Sequence, residues 1–229
     1  MYSLQAIVNT LFPATCACCG DVLVTGERQI CVHCLSNLSH TGYTPMPDNP
    51  VERILTERMS VEQATAMLHF AKGTTVQHLV HAIKFHGRST LCLMMGRQLG
   101  LELMASGRFD DVDMLLPVPL HWRRQLKRGY NQSELLCRGI AEVMPRPISV
   151  GDLIRHRYTR EQSRQTGARR DSNVKGAFRV RHADRLTGHH VLLVDDVITT
   201  GSTLTGCAVA LAAVPSLRIS VATLCTAGD

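Results

Sequence analysis

Val191-Leu192-Leu193-Val194-Asp195-Asp196-Val197-Ile198-Thr199-Thr200-Gly201-Ser202-Thr203 is the stretch that decides how the rest of the chain is read. Four apolar residues in succession describe a strand buried on both faces, as in a parallel sheet. Asp195 and Asp196 stand where that strand should emerge. Thr199 to Thr203 are small or hydroxylated, and Leu204 to Val214 is apolar and rich in alanine, which predicts a helix. A strand, a short polar loop and a helix N-terminus make a site for an anion. Free N–H groups of the loop and first turn point at the ligand, and the helix dipole favours negative charge there. Gly201 lets the backbone come close to a phosphate, and Thr199, Thr200, Ser202 and Thr203 add hydroxyl donors.

Carboxylates repel a phosphate, so the acid pair must serve another group on the same ligand. A ribose ring places two neighbouring hydroxyls close to its 5′-phosphate. Asp195 and Asp196 would accept hydrogen bonds from those hydroxyls, directly or through a metal ion. The stretch resembles the phosphoribosyl pyrophosphate (PRPP) motif of type I phosphoribosyltransferases: hydrophobic strand, two acids, two variable residues, then a loop with threonine and glycine. The resemblance implies that Asp195 and Asp196 hold the ribose hydroxyls and that Thr199, Thr200, Gly201, Ser202 and Thr203 cradle the 5′-phosphate.

The chain has 229 residues, enough for one sizeable core and a small appendage. Its net charge of +6 favours anionic ligands without naming one. No run of apolar residues is long enough to span a membrane, and Met1 to Phe12 lacks the pattern of a signal peptide. A cytoplasmic protein is therefore expected.

Five of the nine cysteines fall near the N-terminus. Cys16-x-x-Cys19 followed by Cys31-x-x-Cys34 has the spacing of a zinc ribbon, in which each turn presents two thiolates to one tetrahedral ion. Without a secretory signal, disulfides are not expected. Cys18 is a complication: it stands within reach of replacing Cys16 or Cys19, although its spacing to either is wrong for the usual knuckle. Cys92, Cys137, Cys207 and Cys225 sit in apolar segments and read as small core hydrophobes.

Residues 41–50, rich in proline and polar residues, read as a linker. The chain is accordingly divided into 1–48, an N-terminal helix with the four-cysteine ribbon, and 49–229, an α/β domain. Val61 to Phe70 is strand material. Val76, Leu79, Val80 and Ile83 recur at helical spacing, Leu91 to Ala105 is a second helix, and Met114-Leu115-Leu116 is a second buried strand. Tyr130 to Met144 is a helix, and Leu217 to Leu224 is a late, alternating strand. Strands alternating with helices predict a mostly parallel sheet flanked by helices.

A buried strand also leads into Pro117-Val118-Pro119-Leu120 and then a polar loop carrying Arg123, Arg124, Lys127 and Arg128, with no acid between Pro117 and Ser133. Ligands of open α/β sheets bind at the carboxyl ends of strands, so this basic loop and the phosphate loop should face one crevice. Residues 155–178 carry six arginines, among them Arg160, and read as a polar loop able to fold over a bound anion.

The order of cysteine ribbon, Lys84-Phe85-x-Gly87-Arg88, Pro117-Val118-Pro119-Leu120, Arg128-Gly129-Tyr130-Asn131-Gln132, Gln162, Arg170-x-x-Asn173, Ala177-Phe178 and the PRPP motif resembles the ComF/GntX family. These are bacterial phosphoribosyltransferase-like proteins linked to natural transformation and DNA utilisation. The resemblance covers nearly the whole chain. It implies a type I phosphoribosyltransferase fold with a zinc ribbon, PRPP bound with Mg2+, and a site formed by Asp195, Asp196, Lys84, Arg160, Pro119, Leu120, Arg123, Arg124 and Thr199 to Thr203. The ligand would be PRPP or a related phosphorylated ribose. An enzyme of this kind would transfer phosphoribosyl to a nitrogen acceptor that no segment identifies. The competing readings are a non-catalytic accessory that binds single-stranded DNA through the same phosphate site, acting beside DNA-uptake or helicase proteins, and a PRPP sensor. Aromatic residues at 4% argue against a dedicated strand-binding surface.

Overall fold

The computed structural model describes residues 13–85, 87–157 and 176–227. Its centre is a four-stranded parallel sheet: β1 (Ala64–His69), β2 (Met114–Pro117), β5 (His190–Ile198) and β6 (Arg218–Thr226), in the order β1-β6-β5-β2. Two short antiparallel strands, β3 (Leu153–Arg155) and β4 (Phe178–Val180), stand apart from it. Residues 39–41 cover the open edge of β1: the Thr41 N–H donates to the Met67 carbonyl at 2.9 Å and the His69 N–H to the Ser39 carbonyl at 2.8 Å. A free strand edge is thereby closed. The four-stranded parallel sheet with flanking helices is the α/β architecture that the sequence predicts.

β6 departs from its expected alternation. It lies between β1 and β5, so Ser220 to Thr226 are buried on both faces. Its polar side chains find partners inside: Ser220 Oγ lies 2.9 Å from His190 Nε2, and the Thr223 hydroxyl donates to the Thr65 carbonyl at 3.4 Å.

Among the described residues, seven α-helices flank the sheet. They are α1 (Val32–Ser36), α2 (Pro50–Thr56), α3 (Thr75–Phe85), α4 (Ser89–Ser106), α5 (Trp122–Arg128), α6 (Gln132–Ala141) and α7 (Ser202–Leu211). On one face Leu79, Ile83, Leu91, Met95 and Leu99 of α3 and α4 pack with Leu136 and Ile140 of α6. Cys16, Cys31 and Cys34 join this same core, so the ribbon packs directly on the α/β domain. On the other face Val51 and Leu55 of α2 meet Leu204 and Leu211 of α7. α4 and α6 approach backbone to backbone, because a Cβ at Gly96 or Gly139 would run into the facing Leu136 or Leu93 carbonyl. That close approach seats α6 under the end of β5.

The structure changes three readings. The stretch after Leu120 is a helix, α5, and not a polar loop. The buried His121 side chain accepts from the Arg123 N–H at 3.3 Å to start it, and Gly129, at φ 83°, ends it. α5 buries none of its residues, so it leaves no apolar period in the sequence. Residues 41–50 are turns fastened to the sheet and not a free linker: fully buried Asn49 donates to the Ala64 carbonyl at 2.8 Å and caps α2 through Val51 and Glu52. Finally, β5 does not stop before the acids. Asp195 pairs in register with Thr223, and the strand runs on to Ile198.

Candidate functional site

The acid pair and the turn at residues 199–203, read from the sequence as a phosphate loop, share the carboxyl end of β5. Gly201 adopts a left-handed φ of 74° and turns the chain into α7. A side chain there would be strained, and its Cβ would stand 3.0 Å from Leu55 Cδ2. The turn is thus seated on α2. Ser202 is buried at the first turn of α7, and its hydroxyl lies 2.7 Å from Thr200 Oγ1. Thr199 is exposed and Thr203 half-buried.

Asp195 Oδ1 accepts from the Ser133 hydroxyl at 3.1 Å and from the Asp196 N–H at 2.9 Å. Burial and the adjacent Asp196 charge push the Asp195 carboxyl up to about 7, against the opposing pull of the Asp196 N–H, Lys84 and Ser133. Asp196 Oδ2 forms an ion pair with Lys84 Nζ at 3.2 Å, with both side chains largely covered. Lys84, from the C-terminal end of α3, therefore meets the acid pair across more than a hundred residues of sequence.

The second loop lies beside the first. β2 pairs with β5, with Pro117 opposite Val194, and the Val118 N–H donates to the Val194 carbonyl at 2.9 Å. Asn131 caps α6 and donates to the Val118 carbonyl at 3.1 Å. Pro119 and Leu120 follow at the rim, both half-buried. Arg123 is exposed on α5 and Arg124 half-buried. Burial, followed by the charges of Arg123, Arg155 and Arg124, lowers the His121 pKa, which records how strongly positive this corner is. Arg160, Gln162, Arg170 and the covering loop lie outside the described residues.

Ser133, Asn131 and Arg155 are members of this neighbourhood that sequence reasoning did not assign a role. Asn131 stood inside the quoted Arg128–Gln132 motif, and its place before a helix was a capping signal. Ser133 carried no signal, since only the packing of α6 on β5 brings it to Asp195.

In the N-terminal segment, the sulfurs of Cys16, Cys19, Cys31 and Cys34 lie within 4.8 Å of one another. A tetrahedral ion with four sulfurs at about 2.3 Å requires sulfur separations of about 3.8 Å, and Cys19 Sγ lies 3.8 Å from Cys31 Sγ. Backbone N–H groups of Cys18 and Cys31 point at Cys16 Sγ at 3.4 and 3.3 Å. Burial opposes ionisation of Cys16, but N–H groups from Cys19, Cys31 and Cys18 outweigh it and bring the thiol down to about 6. The donor set fits a thiolate-bound metal. Cys18 is not part of this group, and burial among the other sulfurs pushes its thiol up to about 12.

A parallel α/β sheet with an acid pair and a glycine-containing loop at the carboxyl end of one strand defines a phosphoribosyltransferase-like protein. The model of the phosphoribosyl transferase domain family matches residues 133–229. The chain is 30% identical over 204 residues to the DNA utilization protein YhgH of Escherichia coli K12, covering 84% of this chain and 88% of that one. It is 29% identical over 180 residues to competence protein F of Haemophilus influenzae, covering 76% and 74%. The chain belongs to this ComF/YhgH family of phosphoribosyltransferase-like proteins. Among solved structures, glutamine PRPP amidotransferase from B. subtilis matches at 19% identity and a TM-score of 0.43, over 63% of this chain and 30% of that one. Among the described residues, no helix is long and apolar enough to cross a membrane.

Proposed function

We propose that the chain binds PRPP, or a related phosphorylated ribose, at the carboxyl end of β5 and transfers phosphoribosyl to a nitrogen acceptor in the course of DNA utilisation. One observation carries this reading: two acids of opposite character, neutral-leaning Asp195 and ion-paired Asp196, stand beside a left-handed Gly201 and the N-terminus of α7. Thr199, Thr200, Gly201, Ser202 and Thr203 take the 5′-phosphate. Asp195 and Asp196 take the ribose hydroxyls. Mg2+ carried by PRPP would screen its pyrophosphate.

In the reaction the bond from C1 to pyrophosphate stretches, and positive charge develops on the ribose. The nearby carboxylates stabilise that charge. Lys84 is released from Asp196 as the ribose arrives and turns to the leaving pyrophosphate, with Arg123, Arg124 and Arg160. Pro119 and Leu120 offer backbone groups beside it. The nitrogen nucleophile forms its bond to C1, and pyrophosphate leaves with the electron pair.

Cys16, Cys19, Cys31 and Cys34 hold one structural zinc ion, with no open coordination position for chemistry. We place 1–48 as the ribbon portion and 49–229 as the catalytic portion, and the protein in the cytoplasm. Its relatives are named a DNA utilization protein and a competence protein, which supports work on DNA; single-stranded DNA and the proteins that take it up or unwind it are the partners that this reading adds. The test is PRPP binding by calorimetry, followed by pyrophosphate release against a panel of bases and amines. Saturable PRPP binding with release in the presence of one amine class supports the transferase. Binding without release for any acceptor leaves the PRPP sensor, and no binding removes both.

A further inference from the structure

Three large apolar side chains near the site have no part in it. Trp122 is 57% exposed, Leu126 76% and Phe85 62%. The chain has one tryptophan and five phenylalanines, so leaving these rings in water is an expensive use of a scarce residue class. Each ring carries an arginine: Arg123 lies 5.2 Å from the Trp122 ring centre, and Arg128 lies 5.6 Å from that of Phe85. The Tyr130 hydroxyl donates to the Ile83 carbonyl at 2.5 Å and fastens the end of α5 to the end of α3, which fixes Phe85 relative to α5. Trp122 and Arg128 are about 9 Å apart along the helix axis. Lys127 adds an exposed cation, and no acid occurs between Pro117 and Ser133.

Two flat rings under guanidinium planes suit a partner that is itself flat and negatively charged. Nucleobases carrying phosphate have both properties, since a base extends an aromatic–guanidinium stack and its phosphate meets the cations. An acidic peptide answers the charge but has no use for two flat faces. We propose that α5 and Phe85 form a nucleobase-stacking platform, separate from the phosphate loop, that takes one base on Trp122 with Arg123 and another on Phe85 with Arg128. Two separate stacks, tied together through the Tyr130–Ile83 hydrogen bond, suit a single strand, which brings more than one base, better than a free nucleotide. The proposal stands independently of the PRPP reading, although Phe85 adjoins Lys84 and so brings a bound strand past the acid pair.

Trp122 is the only tryptophan in the chain, so its emission reports this surface alone. The experiment titrates the full-length, metal-loaded protein with a short oligo(dT), with dTMP, with an abasic oligomer of equal length and with polyglutamate. It follows Trp122 emission together with the anisotropy of labelled probe. Oligo(dT) should quench Trp122 with saturation. The abasic strand should bind more weakly by roughly thirtyfold or more, with little quenching, since both stacked bases are lost, and the loss of one corresponds to roughly five- to hundredfold. Phe85→Ala should weaken oligo(dT) binding within that single-base range while quenching of Trp122 survives. Saturable quenching by dTMP also supports the platform, and the ratio of the two affinities identifies strand or nucleotide as the source. Equal affinity for abasic and dT strands, binding that leaves Trp122 emission unchanged, or tighter binding of polyglutamate would each overturn it. PRPP titrated alone reads the acid pair separately, so failure there leaves the platform untouched.

Discussion

The protein holds two clusters of would-be anions, and it compensates their charge by different means, backbone N–H groups in one and a lysine in the other. In the ribbon, four sulfurs gather within 4.8 Å, and backbone N–H groups bring Cys16 down to about 6. At the end of β5, burial and its neighbour's charge push Asp195 up to about 7. Within the ribbon, Cys16 takes the charge on those N–H groups, whereas Cys19 is raised to about 11, and burial followed by the neighbouring sulfurs pushes Cys34 well above the ordinary thiol range. The acid pair is held back from full charge, with one member leaning neutral and the other tied to Lys84 at 3.2 Å. On the proposed reading, the cysteine cluster serves structure by closing on a metal ion, whereas the acid pair serves binding by exchanging Lys84 for a ligand.

The largest expected effect breaks the ribbon. Cys31→Ser should abolish zinc binding, since structural zinc sites contribute about 10 kcal/mol or more of apparent binding free energy. Metal analysis should find no zinc, and limited proteolysis should cut within residues 13–40. Because Cys16 and Cys34 share a core with α3 and α4, the thermal midpoint should fall as well. Unchanged zinc content would remove the assignment.

The acid pair should respond differently. Asp195→Asn with Asp196→Asn should lower PRPP affinity by well over tenfold, since charge-assisted hydrogen bonds contribute about 1.5–3 kcal/mol each. Inorganic phosphate should bind the variant at least as well as the parent, because two repelling charges are gone. Calorimetry with both ligands separates the cases. Parallel loss of both would mean that the acids hold the loop's shape and not the ribose.

Protonation sharpens the contrast. The Asp195 carboxyl lies near 7 in the folded protein against 3.8 for an ordinary aspartate. The folded state therefore retains a proton that the unfolded chain has lost. Its stabilising contribution is present at acid pH and is lost as pH rises through about 7. The thermal midpoint of Asp195→Asn, measured against the parent without ligand, should gain on it between pH 5 and pH 8. PRPP affinity of the parent should rise over the same interval as the carboxylate forms. Asp111, at the opposite end of the sheet, has the reverse sign. Burial raises it, but Arg218 and His190 outweigh that and hold it below the ordinary value. Its contribution is present at neutral pH and fades on acidification, so Asp111→Asn should lose ground to the parent above the carboxylate range.

The smallest effect concerns Lys84. Lys84→Met should cost about 1 kcal/mol of stability, a discounted value for a pair that water still reaches, or a fall of about 2–4 °C in thermal midpoint for a chain of this size. PRPP affinity should drop several-fold. An unchanged affinity would leave Lys84 as a mere counterion of the empty site.

The ribbon was legible in the sequence because its ligands are local: Cys16, Cys19, Cys31 and Cys34 reach one point through two tight turns. β5 and the turn into α7 were legible for a similar reason, since Val191 to Thr203 carries strand, acids, glycine and helix start in one run. The basic stretch after Leu120 was misread as a loop because α5 buries nothing and so leaves no apolar period to count. Residues 41–50 were misread as a linker because composition registers proline and polarity but not the burial of Asn49 against β1.

What the sequence alone determined was therefore each element whose chemistry is complete within a short span. The tertiary structure decided which of those elements meet. Lys84 reaches Asp196, Ser133 reaches Asp195 and Phe85 comes under Arg128 only because parallel pairing of β2, β5 and β6 sets the strand ends level and the glycine contact of α4 with α6 seats the helices on them. Those contacts depend on distances across the fold, which local propensity and spacing do not encode.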